Sequence, residues 1–412
     1  MKGNLIVAQS GGPTSVINSS LLGVIEEAKR NRRKIKNIYG SLNGIDGIIN
    51  EAIVDLKKEK KSELKKLRYT PSSILGSVRK CLPSDFNEKI YTIILEVFKK
   101  YDIRYFLYIG GNDSMDTVQK LSEFFKKVDY ECFVIGVPKT IDNDLVITDH
   151  TPGYGSAIKY IANTIKEIYY DTICYSKGRV TVVEIMGRDA GWLTAGSKLA
   201  NLDDCGPDLI YLPEVAFDID KFLQDVNEIY AKKHKVLVCV SEGIKDKQGK
   251  YIMEQSAYAN DNDVFGHMQL GGAASVLTHL VKTKLNLNVR AIELNLPQRC
   301  AGHFNSKCDV DEAYMSGAAA VRFAVSGLSG KMVTISRVES KKYKVTYSAS
   351  DIAEIANKVK TLPTSWIKDG KDLTQEFIDY ALPLIEGEER VNYKKGILNF
   401  AVLKKILVKR KK

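Results

Sequence analysis

The stretch RYFLYIGGNDSMDT, residues 104–117, sets the reading of the whole chain. Its first half, RYFLYI, has the near-continuous hydrophobicity of a strand covered on both faces. Two glycines end it, and NDSMDT reads as the first turn of a helix running to about residue 127. A strand, a glycine turn and a helix start make an anion cradle. Glycine lets backbone N–H groups come close, and the helix contributes its positive end. Yet the same segment puts a carboxylate, Asp113, where the anion should approach. A carboxylate at the mouth of an anion cradle needs a physical reason.

The pattern recurs along the chain. LIVAQ (5–9) runs into SGGPTSVIN (10–18) and a helix near residues 14–30, where Pro13 and Thr14 suit a helix start. CFVIGVP (132–138) runs into PKTIDNDL (138–145) and a helix near residues 155–170. VTVVEIM (180–186) leads to MGRDAGWLTAG (186–196), and KVLVCVSEG (235–243) ends in its own polar turn. Apolar strands joined by helices predict an α/β fold with a mostly parallel sheet covered on both faces. Open parallel sheets bind ligands at the carboxyl ends of their strands. The motifs SGGPTS, GGNDS, PKTIDND, MGRDAG and SEG all stand there. At 412 residues the chain exceeds what one core usually supports, so two domains are expected.

Composition narrows the functional classes. Hydrophobic residues make up 44% and charged residues 27%, ordinary for a globular protein. Uncharged apolar runs reach about six to nine residues, against roughly 20 for a membrane span. The N-terminus, MKGNLIVAQSGG, has too short an apolar run for a signal peptide, so a cytoplasmic location without a membrane partner is expected. Seven cysteines, an odd number with no CxxC pair, favour reduced thiols. The net charge of +11 gathers in NRRKIKN, LKKEKKSELKK and KKILVKRKK, which carry no interleaved aromatics. Solvated lysine faces account for these runs, and no nucleic-acid partner is expected. HExxH, GxSxG and GxxxxGK[ST] are absent and the five histidines are scattered, which argues against zinc, imidazole and Walker-type chemistry.

What remains is a set of charges. PKTIDNDL holds Asp142 and Asp144 with Thr140 and Lys139 beside them, and in an extended loop alternate side chains point to one side. Such a pair serves a metal or a proton acceptor next to a second acid, or else belongs to an Asx-type turn. Arg188 either clamps a phosphate or pairs with Asp189. Arg79, Arg179, Arg290 and Arg299 are further basic candidates. Glu242 either accepts sugar hydroxyls or caps a helix. Anion cradles, arginines and a carboxylate base together point to phosphoryl transfer. That chemistry needs positioning, charge stabilisation, usually a divalent metal, and a base for an alcohol.

In order, SGGPTSVIN, LGSVR, GGNDS, TIDND, the strand from Arg179 to MGR, PEV (213–215), SEG, and Arg290 with Gln298 and Arg299 resemble the phosphofructokinase family over about residues 4–336. GHMQLGG (266–272) mimics the family's glycine-histidine-x-glutamine-arginine-glycine-glycine motif, but Leu270 and Asp261 stand where that motif needs arginines. Arg290 and Arg299 restore both at the family spacing, so residues 261–283 read as part of an insertion. The resemblance implies two Rossmann-like three-layer domains with mostly parallel sheets and the active site in the cleft between them. Residues 1–150 plus about 298–340 would be the phosphate-donor domain. Residues 151–297 would be the sugar-phosphate domain, with an insertion near 245–284, and 341–412 a C-terminal helical and basic segment.

The resemblance further implies phosphorylation of fructose 6-phosphate at its 1-hydroxyl. Asp142 would accept the proton, with Lys139 and Arg188 stabilising the transferred group. Gly11, Gly12, Arg79 and Gly111 would contact the donor. Thr140, Ile141, Asp144, Arg179, Met186, Gly187, Arg188, Glu242, Arg290, Leu296 and Arg299 would hold the sugar phosphate. Arg179 and Arg290 would reach in from a neighbouring subunit, which implies a homodimer or homotetramer. Leu296 stands where many relatives have histidine or tyrosine.

Two positions separate the family's branches. ATP users have glycine where this chain has Asp113 and Lys139, and both residues match the pyrophosphate-dependent branch. Asp113 would lie where the α-phosphate of ATP goes. Like charges about 4 Å apart repel by on the order of 4 kcal/mol at an effective dielectric near 20, roughly a thousandfold in binding. Lys139 would add a cation beside the transferring group. The products would be fructose 1,6-bisphosphate and phosphate, in a reaction that runs both ways. Mg2+ is the implied cofactor. Asn112 stands where most relatives carry the aspartate that helps hold it, with Asp113 beside it. An ATP-dependent 6-phosphofructokinase and a non-catalytic sugar-phosphate-binding subunit are the alternative readings.

Overall fold

The computed structural model describes residues 1–255 and 272–409. Asp261 and Leu270 of the decoy segment lie outside the described residues. The chain divides into two compact units: Met1–Ser156, Arg299–Val359 and Gly387–Lys412 form the first, and Ala157–Gln298 with Lys360–Glu386 the second.

The first unit is built on a seven-stranded sheet in the order β11-β10-β5-β4-β1-β2-β3. Its strands are β1 (Gly3–Gln9), β2 (Ile35–Ser41), β3 (Ile53–Asp55), β4 (Ile103–Gly110), β5 (Phe133–Pro138), β10 (Lys331–Arg337) and β11 (Val345–Asp351). The strands pair in parallel except at the two edges, where β3 and β11 run antiparallel to their neighbours. β4, the opening stretch, lies in the middle, and its alternate residues serve two cores. Phe106 and Tyr108 pack with Tyr91, Phe98 and Phe125 on one face. Tyr105, Leu107 and Ile109 pack with Leu21 and Val24 of the helix Ile17–Arg30 on the other. Burial on both faces is why the strand reads as an unbroken apolar run.

The chain passes from β1 outward to β2 and β3, then returns to place β4 on the other side of β1. That reversal is a topological switch point, where the loops after neighbouring strands part and leave a crevice. The loops after β1, β4 and β5 carry SGGPTS, GGNDS and PKTIDND.

The second unit holds a four-stranded parallel sheet, β7-β8-β6-β9. Its strands are β6 (Arg179–Ile185), β7 (Leu209–Tyr211), β8 (Lys235–Ser241) and β9 (Val289–Glu293). MGR and SEG follow the adjacent strands β6 and β8.

The expected separate segment at residues 341–412 does not exist as such. β11 instead joins the first sheet, pairing antiparallel with β10 over seven residues. Residues 360–386 belong to the second unit, where Trp366 and Tyr380 pack on Trp192. The basic tail returns to the first unit. It lies along the β3 edge, with Asp55 N bonded to Ile406 O at 2.9 Å and Val408 N to Ile53 O at 2.8 Å. Glu59 accepts the backbone N–H groups of Lys404 and Lys405 at 2.8 Å each. The described residues of 341–412 hold one α-helix, Gln375–Ala381, among short 3-10 turns and strands, rather than forming a helical segment.

Two glycines let the helices Ile17–Arg30 and Lys307–Ser326 of the first unit touch backbone to backbone. A Cβ on Gly23 would fall 1.9 Å from Tyr314 O, and one on Gly317 2.0 Å from Ser20 O. Neither neighbour can yield, because both are helical backbone. Gly317→Ala is expected to lower unfolding free energy by about 1–3 kcal/mol or more through overpacking, while an alanine at the open Gly249 turn, where nothing lies within 4 Å, should not act by overpacking. Chemical denaturation of the two variants checks this.

Candidate active site

The turn after β1 is strapped in place by the loop LGSVR. Gly11 has φ +74°, a left-handed conformation that suits glycine. Its N–H donates to Val78 O at 3.1 Å, and Ser77 Oγ donates to Gly11 O at 2.6 Å. This corrects the simplest cradle picture, since the Gly11 N–H is already spent inside the protein. It also delays the helix, which starts at Ile17 rather than near Thr14, with Val16 as its uncapped leading residue. What the straps achieve is to carry Arg79 up to the glycines.

Three cations surround that turn. Lys139 Nζ donates to Gly12 O at 2.5 Å. A Cβ on Gly12 would lie 3.4 Å from Arg299 Nη1 and 3.8 Å from Arg79 Nη2, and one on Gly11 3.5 Å from Lys139 Nζ. The glycines therefore leave the space that the cations face. Lys139 is only 2% exposed. Burial pulls its ammonium down to about pKa 8, with Arg79 and Arg299 pushing the same way and Asp142 and Asp144 resisting. Of the three, only the Lys139 ammonium is withdrawn from water; Arg79 is exposed and Arg299 half-buried, so positive charge converges on the glycine turn from both sides of the protein surface.

At the second cradle Gly111 precedes the helix Asn112–Lys127, accepting from Ser114 N at 3.0 Å and Met115 N at 3.1 Å. Gly110 has no room for a side chain, since a Cβ there would lie 1.9 Å from Ser114 Oγ. Asp113 is exposed in the first helical turn, where the helix dipole favours a carboxylate. Asn112 has a different occupation. Its Oδ1 accepts from Asn357 N at 2.7 Å and its Nδ2 donates to Lys358 O at 2.9 Å. This clasp uses both ends of the amide, so the oxygen expected to face a metal is engaged by backbone. An aspartate could not donate the second bond. Nothing local in the sequence pointed to it, because its partners lie some 245 residues away.

The TIDND turn is an ST-type turn and a carboxylate pair at once. Thr140 Oγ1 accepts from Asp142 N at 3.1 Å and donates to Asp142 Oδ2 at 3.3 Å. Asn143, with φ +53°, lies between the two aspartates and is wholly buried. Ile141 is also buried, and Asp142 and Asp144 are half-buried. Asp142 and Asp144 both act on the Lys139 ammonium. Sequence reasoning missed Asn143 and Thr151, which brace this turn.

In the second unit Glu242 caps no helix. Its Oε1 accepts from Gly187 N at 3.0 Å, tying SEG to MGR across adjacent strands. Gly187 has φ +139°, and Gln298 Oε1 accepts from Met186 N at 3.3 Å. Gln298 enters the sequence reading only as the neighbour of Arg299, with no role of its own; its Nε2 is buried without a hydrogen-bond partner. Arg188 does not pair with Asp189, which meets Lys245 at 3.7 Å. Arg179 stacks on the Tyr175 ring at 4.9 Å, and its Nη1 is buried without a hydrogen-bond partner. Arg290 pairs with Asp171 at 2.8 Å. Leu296 is 56% exposed and has no polar side-chain atom to offer a sugar.

Among the described residues no group of three or more His, Cys, Asp or Glu side chains could form a protein-built metal cage. With Asn112 engaged by backbone, the carboxylates left on the donor side are Asp113, Asp142 and Asp144. Magnesium typically keeps several waters and binds through one or two carboxylates plus substrate phosphates. The residues present therefore fit a metal that arrives on a phosphate donor.

A phosphofructokinase family model matches residues 4–294. The chain is 38% identical over 413 residues to the pyrophosphate–fructose 6-phosphate 1-phosphotransferase of Halomonas elongata, covering 99% of this chain and 98% of that protein. It is 40% identical over 415 residues to the enzyme of the same name from Xanthomonas campestris pv. campestris, covering 99% and 98%. The solved pyrophosphate-dependent phosphofructokinase of Nitrosospira multiformis matches with a TM-score of 0.91 at 39% identity, covering 100% of this chain and 99% of that one. The loop motifs, the fold that presents them and the near-full-length relatives agree: this chain belongs to the phosphofructokinase family.

Proposed function

We propose that this protein transfers a phosphoryl group from pyrophosphate to the 1-hydroxyl of fructose 6-phosphate, giving fructose 1,6-bisphosphate and phosphate, and that it runs the reaction both ways. The observation that carries the choice of donor is the buried Lys139 ammonium on Gly12 O, with Asp113 at the helix start beside the same glycine loops. The relatives of near-full coverage carry pyrophosphate in their names.

In the forward direction the fructose 1-hydroxyl oxygen forms a bond to the terminal phosphorus and the bridging P–O bond breaks. The hydroxyl proton goes to Asp142. Inorganic phosphate leaves with the bridging oxygen. Lys139 and Arg79 hold the donor and stabilise charge on the transferred group, which is the larger part of catalysis for phosphoryl transfer. Arg299, expected on the sugar phosphate, also faces the Gly12 turn and adds its charge there. The ammonium is buried before the donor arrives, so little reorganisation is needed at the moment of reaction. Arg188, Glu242, Met186 and Gly187 hold the sugar phosphate, and Arg179 and Arg290 serve a neighbouring subunit's sugar in a homodimer or homotetramer. Mg2+, held by Asp113 or Asp142 together with the donor phosphates, would neutralise donor charge. The protein works in the cytoplasm.

Three outcomes are expected. Turnover occurs with pyrophosphate and not with ATP. Asp113→Gly combined with Lys139→Gly admits ATP, weakening the preference by up to roughly a thousandfold. Turnover with ATP alone in the unaltered protein would sink the reading.

Asp142→Ala is expected to lower kcat by about 10²–10⁴-fold, the range for loss of a general base, with sugar binding retained. Loss of fructose 6-phosphate binding by calorimetry would instead make Asp142 a structural residue.

Lys139 sets a pH dependence. Free enzyme loses this cation as pH rises through about 8, so kcat/KM for pyrophosphate falls there. Bound pyrophosphate raises the ammonium's pKa by opposite charge, so kcat holds to higher pH. In Lys139→Arg the guanidinium stays charged and the limb disappears. A limb that persists in that variant belongs to the substrate's own ionisation.

A further inference from the structure

The loop after β5 doubles back on itself. Thr140 and Gly153 form a parallel bridge. Thr151 Oγ1 donates to Thr140 O at 2.9 Å, and Thr151 N donates to Asn143 Oδ1 at 3.0 Å. Thr151 and Asn143 are wholly buried. Thr151 is the post against which the Asp142 turn is braced, so whatever fixes Thr151 also sets where Asp142 points.

One helix, Lys307–Ser326, holds the chain on both sides of Thr151. Asp309 accepts from Gly153 N and Ser156 N, each at 2.8 Å. Glu312 Oε2 lies 2.5 Å from His150 Nε2. Residues three apart share a helix face, so the two carboxylates act from one surface. The second ring nitrogen, His150 Nδ1, meets Asp149 Oδ1 at 2.7 Å. Asp149 also accepts from Arg337 Nε at 2.9 Å, and Glu312 Oε1 accepts from Tyr343 Oη at 2.7 Å.

A ring with a carboxylate at each nitrogen must donate from both, which only the imidazolium can do. Burial opposes that charge, but Glu312 and Asp149 outweigh it and hold the group up to about pKa 9. Cys308 and Tyr347 also face Glu312, and burial pushes both well above their usual ranges, so they stay neutral across the same pH window. A neutral imidazole would leave one of the two carboxylates facing a ring nitrogen that cannot donate, losing that bond and its charge partner, a costly change in a buried site that the loop would shift to relieve.

We infer that His150 and Glu312 are a positioning pair for the phosphoryl-transfer base, an ion pair that fixes Thr151 and, through Thr151 and Asn143, the carboxylate of Asp142. This rests on the reading of Asp142 as proton acceptor. The pair touches no reacting atom, and its effect is on the geometry of the base.

The test is the pH dependence of kcat. Glu312→Gln removes the carboxylate facing Nε2, so His150 sheds its proton at lower pH. At pH 8 its kcat is expected to fall roughly tenfold or more, the scale of a modest misplacement of a catalytic group. It recovers toward wild type as pH drops toward 6, with KM for both substrates changed by less than about twofold, the signature of an effect confined to the transition state. His150→Gln, which cannot titrate, shows a comparable loss at every pH. Should Glu312→Gln fail to fold, the flat, lowered profile of His150→Gln carries the test. A wild-type kcat profile in either folded variant, or a loss confined to KM, overturns the positioning pair. Asp142→Asn separates the two readings. Turnover surviving there overturns Asp142 itself, whereas turnover lost there beside a wild-type profile in Glu312→Gln overturns only the pair.

Discussion

An ammonium taken out of water must find acceptors or give up its proton, and Lys139 is held between those outcomes. Gly12 O accepts one bond from it, Asp142 and Asp144 favour its charge, and burial with Arg79 and Arg299 disfavours it. Such a pocket has more positive than negative charge close by, and an anion would relieve it. Most of the donor-side architecture follows from this. The glycines at 11 and 12 leave the volume the cations face, the Val78 and Ser77 straps bring Arg79 to it, and the switch point between β1 and β4 sets the loops side by side.

The two residues after the second cradle divide the labour. Asp113 stays exposed at a helix start that welcomes its charge. Asn112 faces the protein, and its amide clasps the backbone of residues 357 and 358. The clasp needs a donor and an acceptor on one side chain, which explains an amide where a carboxylate would serve a metal.

A buried ion network stands behind the catalytic turn. Asp309 and Glu312, three residues apart on one helix, secure the chain on either side of Thr151. Buried charges of this kind are weak evidence for stability but can specify one geometry among several. Here the geometry so braced is that of the turn that carries Asp142.

The sequence by itself determined the parallel α/β class, the loops that carry chemistry and the charges within them. Those properties are local: a strand buried on two faces must be apolar throughout, and a left-handed turn such as the one at Gly11 favours glycine. Tertiary structure decided what depends on partners far along the chain. It took the Gly11 N–H for Val78 and the Asn112 amide for residues 357 and 358, and it tied Glu242 to Gly187. It also spread residues 341–412 over both units. Hydrogen-bond partners separated by tens to hundreds of residues leave no periodicity in the sequence, so only the folded chain shows which polar groups remain for a ligand and which are already satisfied.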